Sequence, residues 1–137
     1  MRMRRLARQL PLRIATGAFI LDSGLSKKDA DEMTANGLRD FAAVTYPFLA
    51  KMDSKQFVSL LSKAEIALGA ALIVPFVPAA LAGAGLTVFS LGMLGLYFKT
   101  PGMRRPAGLG PTQQGIALAK DVWLLGIGLS LMADRED

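Results

Sequence analysis

Apolar residues along this chain gather into four runs, two of them joined by a short proline-bounded link and the others set apart by long polar stretches. The clearest run is Ala79–Phe98, AALAGAGLTVFSLGMLGLYF, with no charged residue. Helical rise carries such a run about 30 Å, the thickness of a bilayer's hydrocarbon core. Upstream, Phe57–Phe76 is equally long and carries Lys63 and Glu65 in its first half. Pro75 helps to close that helix and Pro78 to open the next, because the missing proline N–H costs nothing at a helix start. So short a link predicts an antiparallel hairpin. Gly115–Met132 forms the last run, with Lys120 and Asp121 in its first half and Trp123 nearby. Leu10–Ser26 forms the first and contains Arg13 and Asp22. An arginine-rich start before a short apolar stretch is also the plan of a signal peptide. Asp22 and the lack of a small-x-small site before a polar start favour a retained helix instead.

More than half of the chain lies in these runs. Backbone polar groups in lipid must be satisfied internally, which calls for helices, and nothing shows the alternation of a membrane barrel. The predicted fold is an all-α integral membrane domain over residues 1–137. Its four transmembrane helices fall at about 10–26, 57–76, 79–98 and 115–132, with an amphipathic first loop at 27–56.

That loop is too long for a bare connector. Ser26-Lys27-Lys28-Asp29 has a capping-box pattern, and Asn36-Gly37 suits a helix stop. Beyond it Leu38, Phe41, Ala42, Phe48, Leu49 and Met52 recur near helical spacing, broken by Pro47. This predicts a broken amphipathic element at the membrane interface or folded over the bundle; an ordinary helix packed on its neighbours fits equally. The second connector, Lys99–Gln114, is too rich in proline and glycine for a regular helix. Its Gly108-Leu109-Gly110 lacks the preceding strand and following Gly-Lys-Ser/Thr of a phosphate loop.

Composition sharpens the picture. Of 137 residues 52% are hydrophobic and 20% charged, a balance that leaves little polar surface to cover a solvated globule. The chain has no cysteine, which excludes thiolate catalysis and disulfides, and no histidine, the commonest general base and metal ligand. Neither a metal site nor catalytic residues are expected. The net charge of +5 resides in tails and loops, because Arg13, Asp22, Lys63, Glu65, Lys120 and Asp121 balance within the runs. An ionised group deep in hydrocarbon costs about 2.5–3.5 kcal/mol on insertion scales, so such groups pair or line a cavity. Asp22, Lys63, Glu65, Lys120 and Asp121 share one half of the membrane in an alternating bundle. Pairs such as Glu65 with Lys120, or Lys63 with Asp22 or Asp121, are geometrically possible. The cluster reads as a clamp fixing helix rotation; a proton relay or a ligand pocket is the functional alternative.

Arg2, Arg4, Arg5 and Arg8 precede the first helix, where basic residues act as a topology signal and meet lipid headgroups rather than nucleic acid. Arg104 and Arg105 can meet headgroups at the other face, dock a partner's loop, or simply be solvated. The dense cluster before the first helix favours cytoplasmic termini in the inner (plasma) membrane, although the loops carry more basic residues in total. Glycines concentrate in the runs, and Gly126-xxx-Ser130 has the small-xxx-small spacing that lets helices approach closely. Gly85 and Gly92, seven apart, share a face. Gly85, Gly92, Gly126 and Ser130 are therefore candidate docking positions.

Several stretches together, RIATGAFILDSGLSK, EIALGAAL and PTQQGIALAKDVWLLGIGL, resemble the DoxX-like family of small membrane proteins, especially its actinobacterial branch. The resemblance spans nearly the whole chain. It implies a four-helix membrane bundle with a long first loop, and it places Lys27, Glu65 and Asp121 at positions typically polar in the family. Some such proteins are linked to quinone-coupled oxidation, so a bound quinone is the cofactor the resemblance allows. Without cysteine or histidine, a redox role here would need that quinone or a catalytic partner. The expected function is a non-catalytic accessory or scaffolding subunit of a larger envelope complex, serving transport (lipid transport included) or respiration. Its expected partners are other membrane-protein subunits and anionic lipid. A quinone-linked redox component and a small transporter are the alternatives.

Overall fold

The computed structural model describes residues 2–106, 108, 110–113 and 115–134, with the backbone alone for Arg2 and Ala117. Regular structure among these residues is helical, apart from a single bridge between Arg104 and Pro111. Helix α1 spans Arg2–Lys27, α2 Glu32–Thr45, α3 Ser54–Ile73, α4 Ala79–Lys99, α5 Ile116–Ala119 and α6 Asp121–Ala133; a 3-10 turn occupies Pro47–Lys51. The all-α class expected from the apolar runs is therefore observed. Two helices, α3 with 20 residues and α4 with 21, are long and apolar enough to cross a membrane.

Each boundary has a local cause. Val74 precedes Pro75, whose ring disfavours helical backbone on its neighbour; α3 ends at Ile73, short of the expected Phe76, and Val74 is extended. Pro78 is the N-cap of α4. Helix α1 starts eight residues earlier than the apolar run, because arginines and leucine continue it through the basic arm. Pro11 sits inside α1 on the exposed side, as does Ala7, whose carbonyl loses its helical donor there.

The loop departs from expectation at two points. Ser26 does not cap a new helix: its Oγ donates back to the Ser23 carbonyl at 2.8 Å, and α1 runs on to Lys27. The working cap is Asp31, whose carboxylate accepts from the Thr34 amide at 2.7 Å. That hydrogen bond holds the Asp31 carboxyl below its usual value. Nor does Asn36-Gly37 stop a helix. Helix α2 runs through it because Ala35 and Ala42, two turns apart, are both buried, and α2 lies along α3. That packing outweighs the roughly 1 kcal/mol that a mid-helix glycine costs. Pro47 breaks the element as expected, and Asp53 caps α3 by accepting from the Gln56 amide.

The helices form two close antiparallel pairs, α1 with α3 and α4 with α6. Glycine makes each crossing tight. A Cβ on Gly17 would lie 2.9 Å from the Gly69 carbonyl oxygen, and one on Gly83 would lie 2.7 Å from that of Gly128. The pairs meet in one core, where Ile20 of α1, Leu72 of α3, Ala79, Ala82 and Leu86 of α4, and Leu131 of α6 are buried together. Tyr46, at the end of α2, donates its hydroxyl to the Gly92 carbonyl at 2.7 Å and so ties the loop to α4. Only 28% of the apolar window of α3 and 39% of that of α4 are buried within the chain, and each helix leaves a row of side chains exposed. Leu81 and Val88 stand on that side of α4, and Phe19 of α1 and Trp123 of α6 add to the exposed apolar surface.

Overpacking costs about 1–3 kcal/mol where neighbours cannot move. Gly83→Val is therefore expected to lower the unfolding midpoint in detergent, followed by circular dichroism. Gly126→Ala, where a Cβ meets nothing within 4 Å, is expected to leave that midpoint unchanged or raise it.

Candidate functional site

Charged and polar side chains gather at the two ends of the α1–α3 pair. At the end nearer α2, the last turn of α1 presents Ser23 and Lys27, four residues apart and so on one face. Lys27 Nζ donates to Ser23 Oγ at 2.6 Å and to both Glu65 carboxylate oxygens at 3.1 and 3.2 Å. Glu65 projects from α3, and its side chain is 2% exposed. One turn away, Ser62 donates to the Gly24 carbonyl at 2.7 Å. That approach is open because Gly24 has no side chain: a Cβ there would lie 2.9 Å from the Ser62 carbonyl oxygen. The close crossing and the ion pair thus depend on each other.

The opposite end is built around Arg13, which is 1% exposed. Its Nε donates to the Leu72 carbonyl at 2.8 Å, and its Nη2 reaches the carbonyls of Ala71, Val74 and Val77 at 2.9, 3.0 and 2.9 Å. These are carbonyls at the end of α3 and in the link to α4, where the prolines leave the chain without helical donors. A planar guanidinium, with several donors in a fixed fork, suits such a set of acceptors. Nearby, Asp134 beyond α6 gathers three residues of α1. Gln9 Nε2 donates to its carboxylate at 2.7 Å, Arg8 Nη2 at 3.0 Å, and Arg5 reaches its backbone carbonyl. The Gln9 hydrogen bond first, then the Arg8 hydrogen bond and charge, hold the Asp134 carboxyl below its ordinary value. The start of α1 and the end of α6 therefore lie at the same end of the molecule.

Of the residues singled out in the sequence, Glu65 alone among the acids is buried in an ion pair, and its partner is Lys27, not Lys120. Asp22, Lys63 and Lys120 are exposed and Asp121 is half-buried; none of the four forms an ion pair among the described residues. Lys63 falls on the outer side of α3, two residues from Glu65 and so on a different face. The DoxX-like resemblance grouped Lys27, Glu65 and Asp121, and the structure joins the first two. Lys27 lies one residue beyond the apolar run that ends at Ser26, so the charge balance within the runs does not include it. The charge balance treats Arg13 as a charge alone; the sequence signal for its capping role is a lone arginine in one apolar run and a proline-broken end in another.

Among the docking candidates, Gly92 and Gly126 have no atom within 4 Å of a built Cβ, and Gly85 meets Leu68. Ser130 is exposed. The internal crossing uses Gly83 and Gly128 instead. Of the arginines, Arg4 and Arg8 are exposed, whereas the side chain of Arg2 lies outside the described part. Arg104 donates to the Phe98 carbonyl at 3.1 Å with its guanidinium 5.5 Å from that ring's centre. The Arg105 amide donates to the Gly110 carbonyl at 2.8 Å. Comparison with protein-family models, curated proteins and solved structures finds no match.

Breaking a buried pair from one side leaves an uncompensated charge and costs about 3–5 kcal/mol. Lys27→Met and Glu65→Leu are each expected to destabilise the fold by that order, and the double variant to recover most of the loss in a thermal double-mutant cycle. Because the Asp134 carboxyl titrates below its unfolded value, its contribution is present above the ordinary carboxylate range and lost as pH falls through the lowered value. The midpoint of the unaltered chain is expected to drop more steeply than that of Asp134→Asn between about pH 5 and about pH 2.

Proposed function

We propose that this chain is a four-span integral membrane protein of the cytoplasmic membrane, DoxX-like in kind, serving as a non-catalytic accessory subunit of a larger envelope complex. The observation that carries this reading is that its two most deeply buried charged side chains are occupied in holding the chain's own helices: Arg13 on the open end of α3, and Glu65 on Lys27. Charges used in this way fix rotation and register. What the protein then offers to others is its outer surface, apolar along α3 and α4 and with room for a second backbone at Gly92 and Gly126.

Other observations support the span number and the orientation. Helices α5 and α6 follow one another with only Lys120 between them, and the Lys120 and Trp123 amides bond back across that joint. Together they are about as long as a short membrane crossing. The shared end of α1 and α6 fits an even number of crossings. The arginines of α1 at that end favour a cytoplasmic position. A quinone-linked redox component or a small transporter is the second reading, favoured by the buried Lys27–Glu65 pair, which a proton-coupled site would use.

Expression from the native locus and purification in a gentle detergent is expected to recover a stoichiometric membrane partner. A photo-crosslinker at Gly92 or Gly126 is expected to join that partner, and one at Gly83 is not. A monodisperse chain without partners, or flux or quinone-dependent activity lost in Glu65→Gln, would overturn the accessory reading.

A further inference from the structure

Between the first turns of α1 and the α3–α4 link lies a cleft of about 250 Å³. From α1 it is lined by Arg5, Leu6, Gln9 and Arg13, and from the link by Phe76 and Pro78, with Ala79 and Ala80 of the first turn of α4. Arg13 hydrogen-bonds to neutral carbonyls and makes no ion pair among the described residues, so its charge is held in place without being cancelled by a carboxylate. The described residues at this end include Arg4, Arg5, Arg8 and Arg13 and a single carboxylate, Asp134. Phe76, at the tip of the link, is 89% exposed.

Guanidinium groups beside apolar side chains, at the end of helices of membrane length, match a molecule with an anionic head and a hydrocarbon tail. We propose that this cleft binds the phosphodiester headgroup of an anionic lipid, with Arg5 and Gln9 toward the phosphate, Arg13 as a fixed positive charge behind them, and Leu6 and Phe76 beside the upper acyl chain. Guanidinium groups suit phosphate oxygens through charge and parallel donors. An apolar phenylalanine ring suits the upper acyl region just below the headgroup, where Phe76 would lie. The site is thus more specific than the attraction of a basic arm to a charged surface: it has a pocket, a buried arginine whose position is set by four carbonyls, and an apolar lip. The inference rests on the membrane reading above. It adds Gln9, Arg13 and Phe76 to a headgroup contact expected from the arginines alone.

The test uses the full chain in neutral detergent, titrated with phosphatidylglycerol, phosphatidylcholine or inorganic phosphate and followed by native mass spectrometry. One phosphatidylglycerol is expected to be retained per chain, in preference to phosphatidylcholine. Arg5→Gln is expected to weaken it about fivefold, the effect of one basic residue near an anionic lipid. Arg4→Gln, an equal change of charge outside the cleft lining, is expected to weaken it by less than about twofold, because an exposed charge is screened. Phe76→Ser is expected to weaken lipid retention as well. Asp134→Asn separates the cleft from the clamp that shares Arg5. If Arg5 acts on the lipid directly, removing its carboxylate neighbour leaves retention unchanged or stronger; if it acts only through the clamp, Asp134→Asn weakens retention as Arg5→Gln does and overturns the proposal. Equal losses in Arg4→Gln and Arg5→Gln would reduce the site to a diffuse basic surface and also overturn it. So would equal retention of the two lipids, or saturable inorganic phosphate binding unaffected by either lipid, which would mark a free-anion site. A chain that stays dispersed without detergent fails the membrane reading itself, whereas one that needs detergent but shows no preference fails the lipid site alone.

Discussion

One guanidinium decides how the first half of this protein is assembled. Pro75 ends α3 and Pro78 opens α4, and from the neighbouring helix Arg13 donates to four carbonyls there, of which that of Val74 also accepts from the Val77 amide. In a low-dielectric setting an orphan carbonyl and an orphan guanidinium are each costly, and placing them together removes both costs. The same contact fixes the vertical position of α1 against α3. From there the antiparallel register brings Gly17 over Gly69, Gly24 over Ser62 and Ile66, and Lys27 beside Glu65. The ion pair at one end and the capped carbonyls at the other are two ends of one alignment.

The second pair, α4 with α6, is held differently. Among the described residues no buried charge sets its register; Gly83 and Gly128 bring the backbones together, and Thr87 donates within α4 to the Gly83 carbonyl at 2.8 Å. The two pairs then share a small apolar core and are joined at their margins by Asp134 with the start of α1 and by Tyr46 with Gly92. A polar-clamped pair and a glycine-packed pair therefore make one bundle, with apolar side chains left on its outside.

What could be read in the sequence follows from how local each cause is. The boundaries at Pro75 and Pro78 were legible to within a few residues, since proline acts on its own backbone and its immediate neighbour. The break at Pro47 was legible for the same reason. The path of α2 through Asn36-Gly37 was not, because the packing of Ala35 and Ala42 decides it and a local signal cannot see that surface. A place in an apolar run does not distinguish Glu65, which is buried, from Asp22, which is exposed, and the partner of Glu65 depends on α1 reaching Lys27. Glycine spacing likewise named the right helices and left open which glycines face inward. Gly83 and Gly128 meet in the structure, while Gly92 and Gly126 stay open, a matter of rotation that the prolines do not determine.

The order in which Arg13 and its carbonyls are made has a consequence for biogenesis. Arg13 emerges from the ribosome about sixty residues before the acceptors it caps. On the four-span reading proposed above, α1 alone in a bilayer would hold an arginine with nothing to bond, and α3 alone would hold a frayed end. Each helix is then a poor membrane segment by itself and a good one beside the other. Cotranslational insertion would favour release of α1 and α3 as a pair, the earlier waiting at the insertion machinery for the later.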